Sequence, residues 1–260
     1  MIELTGIYKR FGDHVVLDGV DFAVQRGETV ALLGPSGVGK SVILKHINGL
    51  IHPDSGEVYV EEMNVRLLKR QERSRLRSQV GYVFQYGALF DSETVYENVR
   101  LGITDDVQSK DKEFCDRRVL ECLGLVNLPP DTADKYPAEL SGGMRKRVGI
   151  ARAIAGQPTY LLYDEPTSGL DPVNASIIDS LVEKLRDELG MTSVVVTHDV
   201  RSAFQIANRI ALLHEGRIRA EGTPEQLLAV QDEVVQRFLG RDLDITLAQL
   251  KRYRTHGSSL

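Results

Sequence analysis

The sequence predicts an α/β fold built on a largely parallel β-sheet. Short apolar runs of the kind that form buried parallel strands lie at residues 28–34, 81–85, 159–165 and 191–199. A clear amphipathic helix is predicted over residues 171–190, with Pro172 near its start and Gly190 at its end. Strands that alternate with helices in this way are typical of a parallel sheet covered by helices.

Two regions depart from this alternation. Residues 58–68 and the first residues of the chain have β character and are predicted to form a small antiparallel sheet. Residues 86–157 contain helix-like segments and no apolar β-branched run, so we expect a helical subdomain inserted in the core. Residues 1–230 then form one domain, and residues 231–260 form a C-terminal extension with a polar, partly flexible tail.

Composition narrows the function classes. The chain has 260 residues, 42% of them hydrophobic and 27% charged, with a formal net charge of −5. That balance is ordinary for a globular protein and argues against a broad nucleic-acid-binding face, so no nucleic-acid partner is expected. Cys115 and Cys122 form no CxxC pair, which favours reduced thiols in a cytosolic protein. No apolar run approaches the ~20 residues of a membrane span, so any membrane-spanning part must be another subunit.

A phosphate-binding loop is predicted directly after the first buried strand. The segment GPSGVGKS matches the pattern G-x-x-x-x-G-K-[ST] and precedes a helix. Glycines let backbone N–H groups surround an anion, the lysine reaches the β- and γ-phosphates, and the serine hydroxyl coordinates Mg²⁺. We therefore predict that ATP and Mg²⁺ are cofactors. The predicted nucleotide-binding residues are Gly34, Pro35, Ser36, Gly37, Val38, Gly39, Lys40, Ser41 and Val42.

Polar residues at the ends of other predicted strands complete this site. Asp164 ends an apolar strand and is predicted to hold Mg²⁺ with Ser41, while Glu165 is free to act as a general base on water. His198 follows the strand SVVVT and is predicted to reach the γ-phosphate. Gln85 follows GYVF and is a candidate catalytic residue and Mg²⁺ ligand. Ligands bind at this carboxyl edge in open α/β sheets.

A second helix start also suits a phosphate. Ser141 is a good N-cap, and Gly142 and Gly143 leave the first N–H groups of the helix unobstructed. The basic residues that follow, at 145–147, are unfavourable at a positive helix end and indicate an anionic partner. Taken alone, the segment also fits an ordinary capped helix with a solvated basic face.

The motifs together give the chain a clear resemblance. LSGG before YLLYDEP, with GPSGVGKS upstream, resembles the ATP-binding subunits of ABC transporters over residues 1 to about 230. The resemblance implies that Phe11 stacks on adenine, Gln85 is the Q-loop glutamine, Asp171 belongs to the D-loop and His198 is the switch histidine. It also implies a head-to-tail homodimer in which Ser141–Gly143 of one copy contacts ATP bound by the other copy.

Within that family, several departures from the common motifs resemble the ATPases of Mla/Mce-type lipid transporters. Met144 stands where Gln is common and Val42 where Thr is common, and YGALFDS follows Gln85. This resemblance implies a membrane permease and a lipid-binding Mce-type substrate-binding protein as partners. It also implies peripheral attachment to the cytoplasmic side of the inner membrane. A small regulatory subunit or the neighbouring ATPase is then expected to contact residues 231–260.

Three alternatives remain open from the sequence. The first is the ATPase of an importer of polar solutes such as amino acids. The second is an ABC ATPase that acts on DNA or ribosomes, but such proteins usually carry a long coiled-coil insertion or two fused ATPase units, and neither is visible. The third, a P-loop kinase, would leave LSGG and His198 unexplained.

Overall fold

The computed structural model describes residues 1–105 and 108–240. Ten strands lie in these residues: β1 (Ile2–Phe11), β2 (His14–Val24), β3 (Thr29–Leu33), β4 (Ser55–Val60), β5 (Met63–Asn64), β6 (Val80–Val83), β7 (Tyr160–Asp164), β8 (Thr192–Thr197), β9 (Arg209–His214) and β10 (Arg217–Gly222). The helices of the same residues are α1 (Lys40–Ile47), α2 (Arg70–Gln79), α3 (Val95–Arg100), α4 (Lys112–Leu125), α5 (Gly142–Ala155), α6 (Pro172–Leu189), α7 (Val200–Ile206), α8 (Pro224–Ala229) and α9 (Glu233–Gly240).

A six-stranded sheet forms the centre of the fold. Its strand order is β10-β9-β3-β8-β7-β6, and every neighbouring pair is parallel except β9 with β10. The four strands predicted from apolar runs are β3, β6, β7 and β8, so the predicted parallel core is confirmed with slightly shorter strands. Because these strands are parallel, their carboxyl ends meet at one edge of the sheet.

Both faces of the central sheet are covered. Along β3, Ala31 and Leu33 belong to the core on the helical side, whereas Val30 and Leu32 belong to the core shared with α1 and the second sheet. This double burial explains why β3 is apolar at every position between its ends rather than alternating with polar residues. The strand therefore holds the loop that follows it on a rigid support.

The second sheet is antiparallel, with strand order β2-β1-β4-β5, which confirms the predicted small antiparallel sheet. Between β6 and β7 the described residues contain helices and short 3₁₀ turns but no strand. The helix predicted at 171–190 is α6, capped by Asp171 and ended by Gly190 in the left-handed conformation with φ of 64°.

The last helix in the described residues is α9. The remainder of the predicted extension, residues 241–260, lies outside the described residues. Among the described helices, none combines the length and apolar character that a bilayer crossing requires.

Candidate functional site: a nucleotide site at the edge of the central sheet

The loop between β3 and α1 needs its glycines because other backbone and side-chain atoms approach it closely. A Cβ atom on Gly34 would lie 2.4 Å from the carbonyl oxygen of Leu213, and one on Gly39 would lie 2.8 Å from the Val16 side chain. Lys40 closes the loop by donating from Nζ to the carbonyl oxygen of Gly34 at 2.8 Å. The loop is thus a compact turn with its lysine buried beneath it.

Two side chains whose oxygen atoms can coordinate a metal ion, Ser41 and Asp164, meet beside this loop. The hydroxyl group of Ser41 donates to Oδ1 of Asp164 at 2.6 Å, and the phenol of Tyr82 donates to the other carboxylate oxygen at 2.9 Å. Burial, followed by the Asp164 charge, raises the pKa of the Tyr82 phenol. A hydroxyl and a carboxylate are the ligands that Mg²⁺ prefers, so the pair fits this ion with phosphate and water completing its shell.

Glu165 lies at the centre of the edge. Its carboxylate contacts Nδ1 of His198 at 2.7 Å and Nζ of Lys40 at 3.4 Å. Burial lowers the pKa of Lys40, and the Glu165 charge opposes that shift. Glu165 is 9% exposed, whereas about half of the His198 side chain is exposed. The structure therefore brings a carboxylate, an ammonium group and an imidazole together where β3, β7 and β8 end.

Gln85, predicted as a catalytic residue and Mg²⁺ ligand, is hydrogen-bonded to the turn that follows Glu165. Its side-chain amide donates to the hydroxyl oxygen of Ser168 at 3.3 Å, and it forms no hydrogen bond with Ser41 or Asp164. Among the described residues, Ser41 and Asp164 are the two predicted Mg²⁺ ligands that contact each other. Gln85 is linked instead to the turn that follows Glu165.

The start of α5 has the predicted cap. The Ser141 hydroxyl accepts from the backbone N–H of Met144 at 3.2 Å, and Ser141 and Gly142 are exposed. Gly143 is buried, and a Cβ atom there would lie 2.5 Å from Oδ1 of Asn174. The exposed cap leaves the first turn of α5 accessible to a partner, while Gly143 allows close packing on α6.

The basic residues of α5 form hydrogen bonds within the chain. Lys146 is buried, and this residue, Arg145, Arg147 and Arg152 all donate to carbonyl oxygens of their own chain. Arg145 is nevertheless exposed, so an anionic partner at the start of α5 stays a prediction. Arg145 donates to the carbonyl oxygen of Leu140 at 3.2 Å, and Lys146 donates to that of Ser168 at 2.6 Å. Arg147 donates to the carbonyl oxygen of Asn127 and Arg152 to that of Gly87, both at 2.8 Å.

Two predicted residues lie away from this cluster. Asp171 caps α6 by accepting from the N–H groups of Val173 and Asn174, and the Asn174 side chain donates to its second oxygen at 2.6 Å. Phe11 ends β1 with its ring half exposed, and the Lys9 ammonium lies 5.4 Å from its centroid. Phe11 is thus available for stacking, and Asp171 holds the asparagine that packs on Gly143.

Sequence reasoning missed several side chains that shape the site, among them Tyr82, Lys146, Ser168 and Asn174. Tyr82 stands on β6 two residues before Phe84, with no motif to mark it. Lys146 lies in a basic run that suggested solvent exposure. A signal for Asn174 exists, since a polar residue in the first turn of α6 can reach the capping Asp171.

Comparison with known proteins decides the family. The sequence profile described as ABC transporter matches residues 17–168, more than half of the chain. The chain belongs to the ABC transporter family. Its ATP-binding cassette is an ATPase that binds ATP and uses Mg²⁺, and the predicted P-loop NTPase fold is confirmed as the ABC ATPase cassette fold.

Curated relatives in this family have different substrates in their names. The chain is 41% identical to the methionine import ATP-binding protein MetN of Rhizobium johnstonii over 85% of its own length, but spans 60% of that relative. It is 38% identical to the L-cystine import ATP-binding protein TcyC of Bacillus subtilis, covering 94% of this chain and 99% of TcyC. It is 36% identical to the intermembrane phospholipid transport ATP-binding protein MlaF of Haemophilus influenzae, covering 94% and 92%.

A solved ABC cassette matches the fold. The dimeric post-hydrolysis structure of MJ0796 bound to ADP and Pi is 36% identical to the chain, with a TM-score of 0.78. The match covers 86% of this chain and 98% of that cassette. This neighbour provides a cassette that binds nucleotide as a dimer.

Proposed function

We propose that the chain is the ATP-hydrolysing subunit of an ABC transporter that moves lipid through a membrane permease of the Mla/Mce type. The observation that carries the ATPase part is the joining of Ser41, Asp164 and Glu165 at one edge of the sheet, with Glu165 in contact with His198. We also propose that residues 1–230 form the ATPase domain with the helical subdomain at about 86–157, and that 231–260 form an extension.

The proposed chemistry is in-line hydrolysis of the γ-phosphate. The loop of residues 34–42 and the Lys40 ammonium hold the phosphates, and Ser41 and Asp164 hold Mg²⁺, which neutralises developing charge when bound. The Glu165 carboxylate accepts a proton from the attacking water, and His198 contacts both that carboxylate and the γ-phosphate. Gln85 is also proposed to take part in hydrolysis, and its side-chain amide is held by the hydrogen bond to Ser168.

The proposed active unit is a homodimer with two shared sites. Ser141, Gly142 and Gly143 of one copy bind the γ-phosphate held by the loop of the other, with Asp171 near the junction and Phe11 against the adenine. The exposed cap of α5 and the dimeric MJ0796 relative support this arrangement. ATP then closes the dimer and hydrolysis reopens it, which drives the permease.

The lipid assignment rests on similarity to MlaF and on the residues Met144, Val42 and the YGALFDS segment. Its proposed partners are a permease, an Mce-type lipid-binding protein and a small regulatory subunit, at the cytoplasmic side of the inner membrane. Similarity to MetN and TcyC supports a second candidate, the ATPase of an amino-acid importer.

Purification of the chain from detergent-solubilised membranes distinguishes the lipid transporter from the amino-acid importer. We expect a tagged chain to bring down a multispanning permease with phospholipid, identified by mass spectrometry, and to show faster ATP hydrolysis with phospholipid vesicles than with methionine or cystine. A control with Lys40→Ala in the nucleotide loop should keep the permease but lose hydrolysis. Stimulation by an amino acid and not by phospholipid would establish the importer instead, and recovery of ribosomes or DNA would contradict both transport functions.

A further inference from the structure

The backbone of Glu165 is held in an uncommon conformation. Its φ is 50°, in the left-handed region that non-glycine residues rarely adopt. The residue remains there because neighbouring groups fix both sides of it. Its N–H donates to the carbonyl oxygen of Val196 at 2.9 Å, and its own carbonyl oxygen accepts from the N–H of Ser168 at 3.2 Å.

Lys146 provides the side-chain contact to the same turn. From α5, its Nζ donates to the carbonyl oxygen of Ser168 at 2.6 Å and lies 3.4 Å from the carbonyl oxygen of Glu165. The two carbonyl groups are the two ends of the turn that follows β7. Gln85 contacts the Ser168 side chain, so three elements converge on this turn.

The burial of Lys146 is costly for a purely structural contact. The residue is 6% exposed, and no carboxylate of the described residues lies within ion-pair distance of its ammonium group. Burial lowers the pKa of Lys146 to about 8, and the charge of Glu165 opposes that shift. The buried ammonium group therefore interacts with the proposed base as well as with both ends of the turn, which fits a role in placing the Glu165 carboxylate.

Resting on the proposed role of Glu165, we propose that Lys146 is a positioning residue for ATP hydrolysis that clamps the turn 165–168 to α5 and so aims the Glu165 carboxylate. Lys146 is not among the residues proposed to hold the nucleotide or Mg²⁺. Since α5 also begins at Ser141, the clamp connects the helix that serves the other copy to the base of its own copy.

The test compares steady-state ATP hydrolysis by the full-length chain and its variants. Lys146→Met keeps an unbranched side chain that is one atom shorter and removes the donor. We expect kcat to fall at least about tenfold with KM for ATP within about twofold of the parent. Lys146→Gln, a milder change, should show the same kcat-only pattern with a smaller loss. Binding of a fluorescent ATP analogue should be unchanged.

Lys184→Met is the matched control, because Lys184 also donates to a backbone carbonyl, that of Leu125 at 3.2 Å, but away from the site. Its kcat should stay within about twofold of the parent. Combining Lys146→Met with Glu165→Gln should lower hydrolysis no further than Glu165→Gln alone, because Lys146 acts through Glu165.

A parent-like kcat in Lys146→Met, or an additive loss in the double variant, would overturn the inference about Lys146. An inactive Glu165→Gln would still support Glu165 as the proposed base in that case. Normal hydrolysis by Glu165→Gln would overturn the base and the clamp together. The two failures are therefore distinguishable.

Discussion

Asp179 on α6 is a buried carboxylic acid that accepts a hydrogen bond from the Ser202 hydroxyl of α7 at 2.5 Å. Burial raises its pKa to about 7, the Ser202 hydroxyl partly offsets the shift, and the charges of Asp199 and Glu183 add to it. Because α7 begins two residues after His198, this pair joins the helix that follows His198 to α6. The folded chain holds the Asp179 proton more tightly than the unfolded chain does.

Asp179→Asn should therefore change how stability depends on pH. A raised pKa in the folded state means that the native chain binds more protons than the unfolded chain between about pH 4 and pH 7. The group's contribution to the free energy of unfolding thus falls as pH rises through this window, by at most about 4 kcal/mol. Urea unfolding at pH 5 and pH 8 should show a smaller fall for Asp179→Asn than for the parent. Asp187→Asn, exposed on the same helix, is the control, and equal pH dependence in all three proteins would contradict the prediction.

Motif residues were the predictable part of the site. Lys40, Ser41, Asp164 and Glu165 follow from spacing and strand ends, and the structure joins Ser41 to Asp164 and Lys40 to Glu165. Lys146 and Tyr82 did not follow, because burial of a lysine or a tyrosine depends on elements far away in sequence. The basic residues 145–147 show the limit of sequence reasoning, because the pattern of charges does not reveal that these side chains donate to backbone carbonyl groups.

At the scale of elements, the first two turns of α5 carry both of the features that the proposals use. Its first residues form an exposed cap at Ser141, and one turn later Lys146 contacts the turn after β7. Gly143 permits the close approach to Asn174 that places the helix on α6. The same helix therefore carries an exposed N-terminal cap and, one turn later, a contact with the turn that contains Glu165.

Ser141→Arg tests the exposed end of this helix. The larger cationic side chain should block the approach of the partner's nucleotide and abolish hydrolysis, while nucleotide binding by the monomer stays intact. Loss of the cap adds a cost of about 1 kcal/mol to the helix, which leaves the fold in place. A fluorescent ATP analogue and an ATPase assay give the two readouts, with Ser180→Arg on α6 as control. Lost binding by the monomer would show that α5 serves its own nucleotide loop.

The hairpin of β9 and β10 and the helix α2 are among the elements that the sequence analysis did not predict. The hairpin of β9 and β10 escaped prediction although Glu215 and Gly216, with φ of 47° and 75°, form the tight turn between them. Helix α2 escaped because Leu76 is its one buried residue in a highly charged segment. The hairpin is decided by the pairing of β9 with β3, and α2 by the burial of Leu76 in the core shared by the two sheets. A local sequence pattern contains neither interaction.

At the scale of the whole molecule, the proposed phosphate contacts lie in two separate parts of the chain. The loop before α1 and the carboxyl edge of the central sheet are proposed as one half of a site, and the start of α5 as another half. Because the loop before α1 would surround the phosphates of its own nucleotide, we propose that the second helix start serves a second copy of the chain. The dimeric MJ0796 relative supports that account.

The most direct test is the mass of Glu165→Gln in saturating ATP and Mg²⁺, measured by light scattering after gel filtration. Because this variant keeps the phosphate contacts but lacks the base, we predict negligible turnover and a dimer of about 58 kDa, twice the 28.9 kDa chain. Adding Ser141→Arg should return it to a monomer. A Glu165→Gln protein that stays monomeric with bound ATP, or that hydrolyses ATP at the parent rate, would contradict the account.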